Sequence, residues 1–111
     1  MRRDTSIVIG SKVLEQYAAD AALLGAIADP IRLQLIAQLA DRSSCVCDLV
    51  TEPAVPGNLL SYHLKVLREA GLIEGTRRGR WIDYSLTPDA LSRLHDALPA
   101  PLRTLALASR P

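Results

Sequence analysis

Phenylalanine is absent, and one Trp, three Tyr and one Met are the only other large unbranched or aromatic apolar residues besides leucine. An aromatic core is excluded, and a core of Leu, Ile, Val and Ala is implied. No run of 18 apolar residues exists, which excludes a helical membrane span. Residues 1–10 hold only a short apolar piece, Ile7 to Ile9, behind Met1-Arg2-Arg3-Asp4. Without a signal-peptide core the chain is expected in the cytoplasm. Two cysteines, Cys45 and Cys47, are too few for a disulfide framework and read as reduced thiols. A phosphate- or oxyanion-binding loop is also missing, and neither His63 nor His95 is near Cys45 in sequence. A thiol enzyme ranks low for that reason.

What is present fits one domain: 111 residues, 49% apolar and 23% charged. A chain this short buries only about two-thirds of its unfolded surface, so dimerisation would help it. The net charge of +1 conceals an uneven distribution. Residues 57–80 carry Lys65, Arg68, Arg77, Arg78 and Arg80 against Glu69 and Glu74, a local +3 that leaves −2 on the remainder. Basic charge is concentrated where phosphate contacts need it, although an ordinary solvated face has the same composition.

Residues 1–10 lack a helical period and read as a mobile arm. From Ser11, the apolar residues Leu14, Tyr17, Ala18, Ala21, Leu24 and Ala28 repeat at three and four. Asp29-Pro30 is a cap followed by proline at the first helical position, and Ile31, Leu35, Ile36 and Leu39 give the next helix its buried face to about Asp41. Ser43-Ser44 offers a cap for a short helix through Cys45 and Val50 that Pro53 stops. Leu60, Leu64 and Leu67 mark the inner side of a helix over 57–70, closed by Gly71. The period then falls to two: 72–77 and 81–86 are strands, with Arg78-Gly79-Arg80 at the hairpin tip. Thr87-Pro88-Asp89 opens a last helix with Leu91, Leu94 and Leu98 on one side, and Pro99 and Pro101 interrupt it before a tail that resumes as helix over 102–108. The fold expected is mainly α with some β: a winged helix-turn-helix over 11–98, about five helices and a two-stranded wing, then a tail over 99–111.

On the helix 57–70, Asn58, Ser61, Tyr62 and Lys65 lie at i, i+3, i+4 and i+7, opposite the leucines. Short polar groups with one cation suit base edges in a major groove, and Arg68 further along suits the backbone. An amphipathic helix alone needs no such role; the basic hairpin that follows, with Arg77, Arg78 and Arg80, favours DNA. Trp81 reads as a packing residue at the wing base. His63, beside Leu60 and Leu67, reads as a partly buried structural residue, as does His95.

Cys45-Val46-Cys47-Asp48-Leu49 and the stretch from Ser61 through His63 to Ile73 resemble the arsenic-repressor (ArsR/SmtB) family of winged-helix metalloregulators over about 24–86. The resemblance implies a homodimeric repressor of double-stranded DNA with a near-palindromic operator, no permanently bound cofactor, and an inducer that releases the DNA. It also implies a dimer interface of the first and last helices, where Leu14, Tyr17, Ala21, Leu91, Leu94 and Leu98 stand. Family members begin the recognition helix with a Ser-Gln-Pro-Thr-like segment; here Pro56-Gly57-Asn58-Leu59 replaces it, with Asn58 as the substitute cap and Leu59 lacking a hydroxyl.

Cysteines two apart stand about 200° around an ideal helix, so both sulfurs meet one ion only if the turn distorts. A helix N-terminus lowers a thiol pKa and favours metal binding or oxidation, whereas two small buried core residues would carry neither function. The resemblance implies that Cys45 and Cys47 are metal ligands. Val50 occupies the position of the third cysteine of the arsenic-type site, and the first ten residues hold no cysteine for a cadmium-type one. Two sulfurs suit arsenite or antimonite, which take hydroxide or an external thiol, better than cadmium, lead or four-coordinate zinc. Asp89, His95 and Asp96 do not reproduce the family's zinc pattern on the last helix. The alternatives are a thiol sensor of oxidants or reactive sulfur, and a winged helix that binds protein instead of DNA.

Overall fold

The computed structural model describes residues 3–100, with side chains from residue 12 onward. Helix α1 runs Arg3–Ile27 and α2 Pro30–Asp41; strand β1, Ser44–Cys45, is followed by a 3-10 turn, Val46–Asp48. Helix α3 spans Gly57–Glu69, strands β2 and β3 span Ile73–Arg78 and Trp81–Leu86, and α4 spans Ala90–Ala97. The helical tail expected over 102–108 lies outside the described residues.

Asp29 starts α2 as its sequence indicates. Its extended backbone turns Oδ2 onto the N–H groups of Ile31 at 2.9 Å and Arg32 at 3.1 Å, with Pro30 in the first turn. These bonds, that to Arg32 foremost, hold the Asp29 carboxyl below its ordinary pKa, and burial opposes them in part. A depressed carboxylate stabilises the fold above its unfolded pKa and loses that contribution as pH falls through the folded one. Asp29→Ala is therefore expected to cost about 1 kcal/mol in urea titrations at neutral pH. The gap between variant and parent should close as the carboxylate protonates in acid.

Three elements depart from the expectation. Helix α1 begins at Arg3, not at Ser11. Extending a helix already formed costs far less than nucleating one, and no proline interrupts the stretch. The segment expected as a helix from Ser44 is instead a strand and a 3-10 turn, because Ser44 and Cys45 pair with Tyr84 and Asp83 of β3. With Pro53 ahead, an α-helix there could complete little more than one turn. The wing is thus part of a three-stranded antiparallel sheet in the order β1-β3-β2. At its tip Arg78 pairs with Trp81, so the strand reaches one residue beyond Arg77, and Gly79 supplies the left-handed φ of +65°.

The core gathers Leu35, Ile36 and Leu39 of α2, Leu64 and Leu67 of α3, then Leu72, Ile73, Tyr84 and Leu94. Tyr84 lies over Gly75, where an added Cβ would stand 3.2 Å from the Tyr84 ring and 2.9 Å from Ile82. Helix α4 turns Ala90, Leu94 and Ala97 inward and leaves Leu91 exposed. The expected stripe of Leu91, Leu94 and Leu98 therefore divides between two faces. Thr87 does not cap α4; its hydroxyl donates to the Gly71 carbonyl at 2.8 Å.

Candidate nucleic-acid interface and cysteine turn

Helix α3 is aimed by contacts at both ends. At its C-terminus Gly71, with φ +75°, lets the Leu72 N–H bond the Leu67 carbonyl at 3.0 Å. Arg93 of α4 then donates to the carbonyls of Gly71 at 2.9 Å and Ala70 at 3.1 Å. A guanidinium on these carbonyls also meets the negative end of the helix dipole. Near the N-terminal half, His63 is 6% exposed, and its Nδ1 meets Arg32 Nη1 at 2.9 Å. Arg32 Nε donates to the Ala26 carbonyl at 2.6 Å, so one arginine ties α3 to the junction of α1 and α2. His63 is structural as expected; His95 is exposed instead, beside Asp96 at 3.3 Å.

The loop entering α3 is held by two amides one turn apart on α2. Gln34 donates to the Glu52 carbonyl at 2.9 Å and accepts the Glu52 N–H at 2.8 Å. Gln38 pairs likewise with Val50 at 2.6 and 3.0 Å. They imitate strand pairing. The loop joins α3 at Gly57 with Pro56 as the cap residue and no side-chain cap bond, so Asn58 is inside the first turn and does not substitute for the cap.

Asn58, Ser61, Tyr62, Lys65 and Arg68 are all exposed on α3, and Arg77, Arg78 and Arg80 are exposed on the wing. Helix and wing enclose a groove of about 560 Å³ where Ser61, Lys65, Arg68 and Arg80 meet Trp81. Trp81 is 53% exposed and lines this groove, so it is not the packing residue expected. Three of the cations already have contacts. Lys65 lies 4.0 Å from Glu69, Arg77 donates to the Gly79 carbonyl at 3.1 Å, and Arg78 holds Asp83 through Nε at 2.8 Å and Nη2 at 3.3 Å.

The cysteines differ most from the sequence-based picture. Cys45 is buried and Cys47 exposed, yet their sulfurs are 2.7 Å apart, the Cys47 thiol donating to Cys45 Sγ. The Cys47 N–H also points at that sulfur, at 3.4 Å. The strand-to-turn geometry brings the pair together, and no helical turn has to distort. Nor does a helix terminus acidify Cys47: its hydrogen bond to Cys45, then desolvation and the adjacent Asp48 and Cys45 charges, push its pKa up to about 11. Cys47 is a thiol at neutral pH. Among the described residues no three His, Cys, Asp or Glu side chains converge on a metal-sized site.

Of the residues expected at a dimer interface, Leu14, Tyr17, Ala21, Leu91 and Leu98 are exposed, whereas Leu94 is 8% exposed and belongs to the protomer core. Helices α1 and α4 flank a cleft of about 510 Å³ lined by Val13, Tyr17 and Leu98. No single helix among the described residues is long and apolar enough to cross a membrane.

The pattern defining the family described as bacterial regulatory protein, arsR family, matches residues 29–74. An uncharacterized HTH-type transcriptional regulator of Methanocaldococcus jannaschii is 32% identical over 82 residues, 73% of this chain and 92% of the relative. The HTH-type transcriptional repressor SmtB of Mycobacterium tuberculosis is 42% identical over 77 residues, 68% of this chain but only 57% of its own length. The arsenical resistance operon repressor of Bacillus subtilis is 40% identical over 70 residues, 62% of this chain and 67% of the relative. Among solved structures, a possible transcriptional regulator for arsenical resistance superposes with a TM-score of 0.63 at 29% identity, covering 79% of this chain and 97% of its own.

Proposed function

The chain belongs to the arsR family of bacterial regulatory proteins, DNA-binding transcriptional repressors and not enzymes, and from that premise we propose that it is a cytoplasmic homodimer released from its operator by arsenite or antimonite at Cys45 and Cys47. The observation that carries the choice of inducer is the direct approach of the two sulfurs, with no third protein ligand beside them among the described residues. Each thiol gives its proton to a hydroxide leaving arsenous acid; two S–As bonds replace two As–O bonds and two waters depart. Neutral thiols suffice for this exchange.

The exposed apolar residues of α1 and α4 support the second copy, because exposed apolar patches mark interaction surfaces. A twofold dimer sets two α3 helices in major grooves about one helical turn apart, which calls for a near-palindromic operator. Asn58, Ser61 and Tyr62 then face base edges, and Lys65, Arg68 and the wing arginines meet phosphates. The uncapped first turn of α3 leaves N–H groups for a phosphate as well.

The test is release of operator DNA on titration with arsenite, antimonite, cadmium, lead and zinc in parallel. Arsenite or antimonite is expected to weaken binding about 5–150-fold, the usual range of allosteric coupling. A Cys45→Ser, Cys47→Ser double variant should bind DNA normally and ignore them. Equal release from the double variant would refute the site, and release by zinc alone would refute the ion.

A further inference from the structure

The pairing of the cysteine strand with the wing places three chemically distinct residues in one row. In an antiparallel ladder directly opposite residues share a face, with Cβ atoms about 4.5–5.5 Å apart, and long side chains reach the diagonal neighbour. Cys45 is opposite Asp83, and Asp83 is opposite Thr76. Arg78 is the diagonal neighbour of Asp83 and grips its carboxylate through two nitrogens. The buried thiol and the wing-tip arginine therefore share Asp83 as their common neighbour across the sheet.

We infer that Asp83 is a positioning residue for DNA binding: it shares Arg78 with the operator phosphate and moves that arginine when the cysteine pair opens. The second half rests on the inducer reading above; the first half does not. Asp83 is only partly exposed while the Arg78 side chain extends into solvent, so the carboxylate holds the guanidinium from the sheet side and leaves its other N–H groups outward. Two sulfurs on one ion at about 2.3 Å each stand roughly 3.4–3.8 Å apart. An ion held by both sulfurs replaces their direct thiol contact and enters between them. Cys47 is in an exposed turn, whereas Cys45 is buried in the ladder. Movement of Cys45 presses on Asp83, and Arg78 follows its partner off the phosphate. Val46, between the two cysteines, lines the groove with Ser61 and Lys65, so the same opening also disturbs the groove floor.

Operator affinity of wild type, Asp83→Asn, Asp83→Glu and Arg78→Ala would be measured across a salt series, with and without arsenite, while mass spectrometry follows arsenite retention. Without arsenite, Asp83→Asn should bind several-fold tighter with a steeper salt slope, because Arg78 is no longer shared; Arg78→Ala should bind more weakly with a shallower one. The ratio of affinities without and with arsenite should fall at least threefold in Asp83→Asn although arsenite is still retained, and Asp83→Glu should restore it. Weaker arsenite-free binding by Asp83→Asn, or an unchanged ratio at equal retention, would overturn the inference. If the wild type retains no arsenite, the inducer reading fails separately, and the series is run on protein alkylated at the exposed Cys47 with iodoacetamide at alkaline pH. Bulk on that sulfur should then weaken operator binding in the wild type and not in Asp83→Asn; equal loss in both overturns the role of Asp83.

Discussion

Replacement of Arg77, Arg78 and Arg80 together by alanine is expected to flatten the salt dependence of operator binding by about five log–log units, the largest functional effect that any part of the surface should show. Each phosphate neutralised contributes about 0.9 to that slope, and a twofold dimer counts each wing twice, for six cations in all. The deficit should therefore be small near 1 M salt and grow as salt is diluted, by about three orders of magnitude between 200 and 50 mM. Arg78 enters already bonded to Asp83 and Arg77 to the Gly79 carbonyl, so the observed change should fall somewhat short of the full count. Because these contacts read no bases, the loss should be similar on operator and on unrelated DNA. Alanine at Asn58, Ser61 or Tyr62 should do the reverse, changing sequence preference by about 1–3 kcal/mol at individual base pairs and leaving the slope nearly unchanged. A uniform loss from both classes, or an unchanged slope in the triple variant, would remove the wing from the interface.

The exposed polar face of α3 and the basic hairpin were legible in the sequence because they rest on local chemistry. Leucines at four- and three-residue spacings, a closing glycine and an arginine-tipped hairpin each declare themselves within a dozen residues, and the structure places all eight proposed DNA contacts on exposed surface. Asp29-Pro30 was legible for the same reason, since a cap acts on its own next two or three N–H groups.

The parts that escaped depend on partners distant in sequence. Nothing near Ser44-Cys45 signals a strand, because its ladder partners Tyr84 and Asp83 are on the other side of the recognition helix. Reading that segment as a helix led in turn to the wrong separation of the sulfurs and the wrong direction of the Cys47 pKa. Gln34 and Gln38 have the look of solvated positions on α2, and only the returning loop converts them into backbone partners. Arg93 is similar: one arginine in a short helix carries no local sign that it caps a different helix. Leu91, Leu94 and Leu98 share a helical side by spacing, but a helix packed on its own protomer and exposing leucines elsewhere divides them.

Leu67→Ala is expected to be the most damaging single truncation, costing about 2–5 kcal/mol. Leu67 is 0% exposed and belongs to one buried cluster with Leu35, Leu72 and Ile73, which are likewise fully enclosed. With no phenylalanine to close over a gap, the surrounding aliphatic side chains can fill the cavity only by moving α3. Domains of this size have about 5–15 kcal/mol of total stability, so the variant sacrifices a large fraction of it. At about 4–8 °C per kcal/mol for a small domain, the melting temperature should fall by roughly 8–40 °C. Dimerisation adds a concentration-dependent term, so parent and variant must be compared at one protein concentration. Leu67→Met, which conserves volume, should cost less than about 1.5 kcal/mol and separates cavity formation from mere alteration of the site. Folded Leu67→Ala protein should keep the parental salt slope, since every cation on α3 and the wing is retained; a slope change as large as that of the wing variant would mean that the orientation of α3, and not the wing charge, sets the phosphate contacts.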